Sequence, residues 1–237
     1  MDPKHFYNTQ MPEKQGRDYE HARWHANPRV KAQYEMMCSL FDSHISVSSC
    51  KNILEIGPGP GTWTKVLHSQ APEAKFTLLD ISREMLARAK DNLKDEASIS
   101  FIEGDFIETD IHDSFDCVFS SRAIEYMEDK EALVSKLWKV TTPGGQVVLI
   151  TKTPKPFLNM LRGRKLSGLH QGQITSRRLQ SLLQAQGFVI EKVRVATATL
   201  PGLSIPFMNK LVFAITKHLP LVPILSESYV VVCRKPS

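Results

Sequence analysis

Short apolar runs alternate with stretches of helical period through the middle of this chain. NILEI (52–56), KFTLLD (75–80), SISFIEG (98–104), FDCVFSS (115–121) and GQVVLIT (145–151) are nearly continuous in apolar residues, the pattern of strands buried on both faces. Helix signals lie between them. Ser82 can cap a helix that aligns Met85, Leu86, Ala89 and Leu93; Asp129 can cap another carrying Leu133, Val134, Leu137 and Trp138, stopped by TPGG at 142–145. Such alternation predicts a parallel sheet with helices on both faces. Later, Thr175 caps a helix with Leu179, Leu182 and Leu183 that Gly187 ends, and FVIEKVRVA (188–196) and SYVVVCRK (228–235) read as two further strands. The apolar insert of 197–227 between them is too long for a hairpin and must pack on something; its prolines bracket a helix near 207–219. Residues 1–18 are polar and read as a mobile start.

A length of 237 residues fits one α/β domain. Its parts are expected to be an N-terminal helical cap (1–48), a core (49–152) and two cap insertions (153–174 and 197–227). The start lacks the cationic-then-apolar pattern of a signal peptide, and no run is long enough to span a bilayer, so a cytoplasmic protein is expected. Cys38, Cys50, Cys117 and Cys233 are scattered without metal-ligand spacing; neither a disulfide nor a metal is expected. The charge is uneven. Residues 1–131 hold 15 Lys+Arg against 23 Asp+Glu, and residues 132–237 hold 15 against 2. A cationic back half suits a solvated face, an anionic substrate, an acidic membrane surface or RNA.

The chemistry is carried by ILEIGPGPGTW (53–63), a strand running into three glycines with a proline in each gap. Glycines let a ligand approach the backbone at the carboxyl edge of the sheet. The dinucleotide fingerprint needs a glycine where Thr62 stands, and Pro58 and Pro60 have no N–H to offer a phosphate. A bulky ligand without phosphate fits better, which disfavours a nicotinamide oxidoreductase.

EIGPGPG, the acidic strand end at Asp80, GDF (104–106), FDCVFSS and TPGG, in that order across roughly 50–152, resemble the class I S-adenosylmethionine-dependent methyltransferases. The resemblance implies a Rossmann-like, seven-stranded, mostly parallel sheet with an antiparallel last strand, and S-adenosylmethionine as cofactor. It implies that Glu55 lies near the cationic methionine end and that Gly57, Gly59 and Gly61 permit close approach. Asp80 would accept the ribose hydroxyls, with Ile81 and Met85 walling the adenine. Asp105 would take the adenine amino group, Phe106 would offer its backbone amide, and Ser121 would lie near the methionine tail.

SSRAIEYMED (120–129) lacks the motif of enzymes that methylate exocyclic amines of bases, so a small-molecule or lipid-like acceptor is favoured over nucleic acid. Cap segments are expected at 17–37, a helical stretch with Tyr19, Trp24 and His25, at 153–175, with Arg162, Arg164 and Lys165, and at the apolar insert. His170 is the candidate base. Arg122, Glu125 and Tyr126 follow the fourth strand, where Arg122 can hold an acidic acceptor and Glu125 can orient it, although both can equally pair with charged neighbours. Trp63 reads as packing. The 207–219 helix reads as a cover, a greasy pocket wall, or a peripheral contact with an anionic membrane. An RNA methyltransferase and a non-catalytic methyltransferase-like binding subunit stay open as alternatives, as does a monomer or a homodimer.

Overall fold

A computed structural model describes residues 2–11, 19–94, 98–154, 172–199, 205–218 and 225–237. A three-residue helix α1 (Pro3–His5) runs on as a π-helical turn, Phe6–Gln10, and is followed by α2 (Tyr19–Trp24) and α3 (Pro28–His44). The core then alternates: β1 (Asn52–Ile56), α4 (Thr62–Gln70), β2 (Lys75–Asp80), α5 (Arg83–Asn92), β3 (Ile99–Glu103), β4 (Phe115–Ser121), a 3₁₀ turn at Ile124–Tyr126, α6 (Lys130–Val140) and β5 (Thr141–Lys152). The chain closes with α7 (Ser176–Gln186), β6 (Val189–Ala198), α8 (Pro206–Thr216) and β7 (Ser226–Arg234).

The seven strands form one sheet in the order β3-β2-β1-β4-β5-β7-β6. Pairing is parallel from β3 to β5, and β7 runs antiparallel to both β5 and β6. Alternate strand residues feed opposite cores. Ile53, Phe119, Val148 and Val230 pack with α3 and α4; Leu54, Val118, Val147 and Val231 pack with α6 and α7. Burial on both faces explains why the strands read as unbroken apolar runs.

The caps are those the sequence offers. The Ser82 hydroxyl accepts from Met85 N–H, Asp129 from Ala132 N–H, and Thr175 from Arg178 N–H, while Gly187, at φ 109°, ends α7. Two expectations gain detail and one needs correction. α6 stops at Val140, just ahead of TPGG, and Gly144 N–H donates to the Lys235 carbonyl while Lys235 N–H donates to that of Gly145, so TPGG itself belongs to the start of β5. The 17–37 stretch is helical in two pieces, because Asn27 accepts from Arg29 N–H and Val30 N–H and, with Pro28 in the first turn, restarts the chain as α3. Residues 2–11 are not a loose start; Met11 is buried and Asn8 accepts from the Ser82 hydroxyl at 2.8 Å and from Glu84 N–H at 3.2 Å.

The N-terminal helices are anchored by aromatic packing on α4. Trp63 stacks on Phe41 at 5.1 Å between centroids, lies beside Tyr34 at 5.6 Å and meets the edge of Trp24 at 5.3 Å. Trp63→Ala is expected to cost about 3–5 kcal/mol by chemical denaturation, with faster proteolysis at the 25–27 junction; an unchanged stability would refute this anchoring role.

Candidate functional site

The glycine loop has almost no amide to spare. Gly57 N–H donates to the Leu79 carbonyl at 2.8 Å, Gly61 N–H to the Pro58 carbonyl at 3.1 Å, and Gly59 N–H to Oδ2 of Asp80 at 3.1 Å. Pro58 and Pro60 have none. Every N–H from 57 to 61 is therefore engaged or absent, and this loop cannot cradle a phosphate as a nucleotide loop does. Its glycines serve geometry instead. All three have positive φ; a Cβ on Gly57 would lie 2.4 Å from that of Ala123, one on Gly61 2.8 Å from Leu93 Cδ1, and one on Gly59 would project into open space.

Above this loop lies a cavity of about 270 Å³ at the carboxyl edge of β1, β2 and β4. Among the residues expected from the sequence, it gathers Gly57, Gly59, Asp80, Ile81, Met85, Asp105, Phe106, Ser121, Arg122 and Tyr126 on one wall. Asp80 organises that wall: besides Gly59 it accepts from Ser82 N–H at 2.9 Å. Its carboxyl is nonetheless pushed up to about 6, because burial outweighs those hydrogen bonds. Ser121 Oγ is buried with no hydrogen-bond partner among the described residues, which marks a place for a polar ligand group. Oδ1 of Asp105 accepts from Ile107 N–H at 2.7 Å and Glu108 N–H at 3.4 Å, fixing the carboxylate at the cavity rim.

Other expected residues lie elsewhere. Glu55 is buried off the cavity wall, where it accepts from Thr64 Oγ1 at 2.7 Å and burial pushes its carboxyl up to about 7. Gly61 is also off the wall, its missing side chain making room for Leu93. Glu125 is fully buried and points away: its carboxylate takes Arg122 Nε at 3.0 Å and Lys152 N–H at 3.2 Å. It positions Arg122 and does not face the cavity. Arg122 itself has φ 66°, a strained conformation for a non-glycine residue, held by its N–H donating to the Ile150 carbonyl at 2.8 Å. His170, with Arg162, Arg164 and Lys165, lies outside the described residues.

The N-terminal segment supplies what the sequence reading missed. Tyr7 and Tyr126 share a hydrogen bond at 2.8 Å between their hydroxyls. Burial raises the pKa of both, so both stay protonated. Thr62 Oγ1 donates to Glu20, joining α2 to the loop. Arg23, on α2, lines the cavity with its guanidinium 4.9 Å from the Trp24 ring centroid, and no carboxylate among the described residues pairs with it. Below the tyrosines, Lys130 Nζ donates to the Ile124 carbonyl at 2.6 Å and to that of Met127, pinning the turn that carries Tyr126. A helical cap over 1–48 is expected from the sequence, but nothing in it singles out Tyr7, Asn8, Glu20 or Arg23.

A loop at the β1 carboxyl end without phosphate-binding amides, facing an acidic β2 end beneath a helical lid, decides between nucleotide folds. Residues 53–145 match the family model described as a methyltransferase domain. The chain carries a methyltransferase domain of the class I fold.

This methyltransferase domain is 26% identical over 164 residues to malonyl-[acyl-carrier protein] O-methyltransferase 1 of Ilyobacter polytropus, covering 64% of this chain and 61% of that protein. It is 28% identical over 116 residues to trans-aconitate 2-methyltransferase of Escherichia coli, covering 49% and 44%. The chain thus spans less than two thirds of the length of these curated relatives. In three dimensions it superposes on the N-methyltransferase NodS of Bradyrhizobium japonicum, solved with S-adenosyl-L-homocysteine, with a TM-score of 0.64 at 16% identity over 96% of this chain and 98% of that one.

The Arg122–Glu125 pair generates a prediction about stability. Glu125→Ala would strand a largely buried guanidinium and cost about 3 kcal/mol, with Glu125→Gln costing distinctly less. Denaturant titration of the two variants reads this out, and equal losses would show that charge pairing is not what holds the turn.

Proposed function

We propose that this chain transfers a methyl group from S-adenosylmethionine to an oxygen or nitrogen of a small, carboxylate-bearing acceptor. The observation that carries the cofactor reading is the glycine loop with its amides engaged beside an Asp80 carboxylate at the cavity. A ligand with a ribose diol and no phosphate is what such an edge accommodates.

The cofactor, when bound, supplies a methyl group on a sulfonium that an acceptor displaces in line. Asp80 would accept the ribose hydroxyls, Ile81 and Met85 would flank the adenine, Asp105 would receive its amino group, and the orphaned Ser121 hydroxyl would meet the methionine tail. Arg23 and Arg122 give the acceptor end positive charge, and Arg23 has the freer guanidinium for a bidentate carboxylate contact. A carboxylate is already ionised at neutral pH, so methylation of its oxygen needs no base; alignment does the work. Tyr7 and Tyr126, hydrogen-bonded to each other and both lining the cavity, bring protonated hydroxyls to the acceptor end. His170 remains our candidate base for an acceptor that must lose a proton. The named relatives act on a malonyl thioester and on trans-aconitate, both acidic. A small acceptor is favoured over RNA because the Tyr7–Tyr126 bridge and the Glu20–Thr62 contact roof the cavity, where a strand would need an open groove. Among the described residues, no helix is long and apolar enough to cross a membrane.

Calorimetric titration with S-adenosylhomocysteine tests the cofactor. Binding is expected to weaken roughly 100-fold in Asp80→Ala, from the loss of two hydrogen bonds to a charged group. Diol hydroxyls favour the ionised carboxylate, so binding should release a proton from Asp80 and tighten about tenfold as pH rises from roughly 5 to roughly 7, through its value near 6. Undetectable binding by the native chain would turn the reading to a non-catalytic binding subunit.

The acceptor class is tested by initial rates on small carboxylic acids against their amides. Arg23→Ala should raise KM for the acids roughly 10- to 100-fold, as loss of a charge-assisted pair does, with little change in cofactor affinity. Amides turning over as well as acids would overturn the acidic-acceptor reading.

A further inference from the structure

Helix α8 is inserted between β6 and β7, and leaves the sheet from the carboxyl edge that also carries the cavity. Phe213 enters the core and Val212 packs against it, yet the opposite side is apolar as well. A helix laid on a domain normally turns its apolar stripe inward. Here the buried positions are Asn209, Phe213 and Thr216, two of them polar, while Phe207 is 72% exposed, Ile215 61%, Leu211 46% and Met208 36%. Phe207, Leu211 and Ile215 stand at i, i+4 and i+8, so they form one continuous stripe pointing away from α3 and β6. This surface faces a medium that accepts phenylalanine and isoleucine.

Charge identifies that medium. Residues 205–218 contain no acid and carry Lys210, Lys217 and His218. Lys210 Nζ reaches Glu35 Oε2 at 2.6 Å and Lys217 Nζ donates to Ser39 Oγ at 3.0 Å, both on α3, so the cations flank the stripe and leave its crest apolar. An apolar crest with basic flanks is the arrangement of a helix lying in a lipid interface. Glu35 offsets Lys210, but Lys217 has only a hydroxyl as partner among the described residues, and a second copy of the same surface would offer it no added acid. An anionic headgroup layer complements both parts.

We propose that α8 is a peripheral docking surface for a bilayer containing anionic lipid, entered by Phe207, Leu211 and Ile215. The surface is separate from the cavity and stands whether or not the methyl-transfer reading holds.

The test is flotation of the full chain with phosphatidylcholine vesicles, with and without phosphatidylglycerol, at low and physiological salt. The native protein should float with the anionic vesicles, less so at higher salt. The Phe207→Ser/Ile215→Ser double variant should lose at least about tenfold in bound fraction, as removal of two buried apolar side chains requires, and Leu211→Ser should be intermediate. All three side chains are exposed, so the thermal midpoint and S-adenosylhomocysteine affinity should not move, which separates failure here from failure of the cofactor reading. Absence of flotation with anionic vesicles overturns the proposal, as does flotation unaffected by the double variant. Sedimentation velocity showing a dimer that the double variant abolishes would also overturn it, assigning the stripe to a second copy.

Discussion

The carboxylate of Asp80 is the interaction on which the rest of this edge depends. It sits at the end of β2 and takes the amide of Gly59 from the loop after β1 and the amide of Ser82 from the start of α5. Three elements are thereby fixed by one side chain. The same bonds remove the loop amide that a phosphate would need, so the group that shapes the cavity also restricts its ligand. The proline on either side of Gly59 completes the restriction. Ser82 extends the chain of dependence, since its hydroxyl caps α5 and also donates to Asn8, which ties the N-terminal segment to the core.

That segment turns an open edge into an enclosed site. Tyr7 reaches across to Tyr126, Glu20 to Thr62, and Trp24 packs on Trp63. These contacts join the segment to the 124–126 turn and to the first turn of α4, so the lid is held at several points and no single bond closes it. Its contribution is chemical as well as steric: Arg23 brings positive charge, and the tyrosines bring protons that burial keeps in place. Turn 124–126 receives them in a fixed position because Arg122, Glu125, Lys130 and Lys152 are cross-bonded beneath it.

The sheet was readable because doubly buried strands produce unbroken apolar runs, and the glycine loop because proline and glycine have few conformations. Asp80, Asp105 and Ser121 reached the cavity because a strand's carboxyl end fixes where the following residues go. Glu55 and Glu125 did not, although each adjoins residues that did. Side-chain direction at one position decides this; Glu55 turns to Thr64, and Glu125 is drawn back by Arg122 and the Lys152 amide. Gly61 has the spacing of a ligand contact but answers to Leu93, a contact 32 residues away. Long-range partners of this kind leave no local pattern, and Asn8 and Tyr7 were missed for the same reason.

Two buried carboxyls make the stability of this fold depend on pH. Burial raises Glu55 to about 7 and Asp80 to about 6, whereas in the unfolded chain both titrate near the ordinary carboxylate range around 4. The folded protein therefore binds more protons than the unfolded one between roughly pH 4 and 7, and these two groups make the empty fold lose stability as pH rises through that window. Above it, both must carry charge in a site that disfavours charge. Hydroxyl donors from a ligand would offset that penalty at Asp80, which lines the cavity, whereas Glu55, off the wall, keeps Thr64 as its donor. The strained Arg122 and the exposed apolar face of α8 break local rules in the same sense. In each case the conflict lies at a surface for which we propose a ligand or a bilayer, and the interior that supports it is conventionally packed.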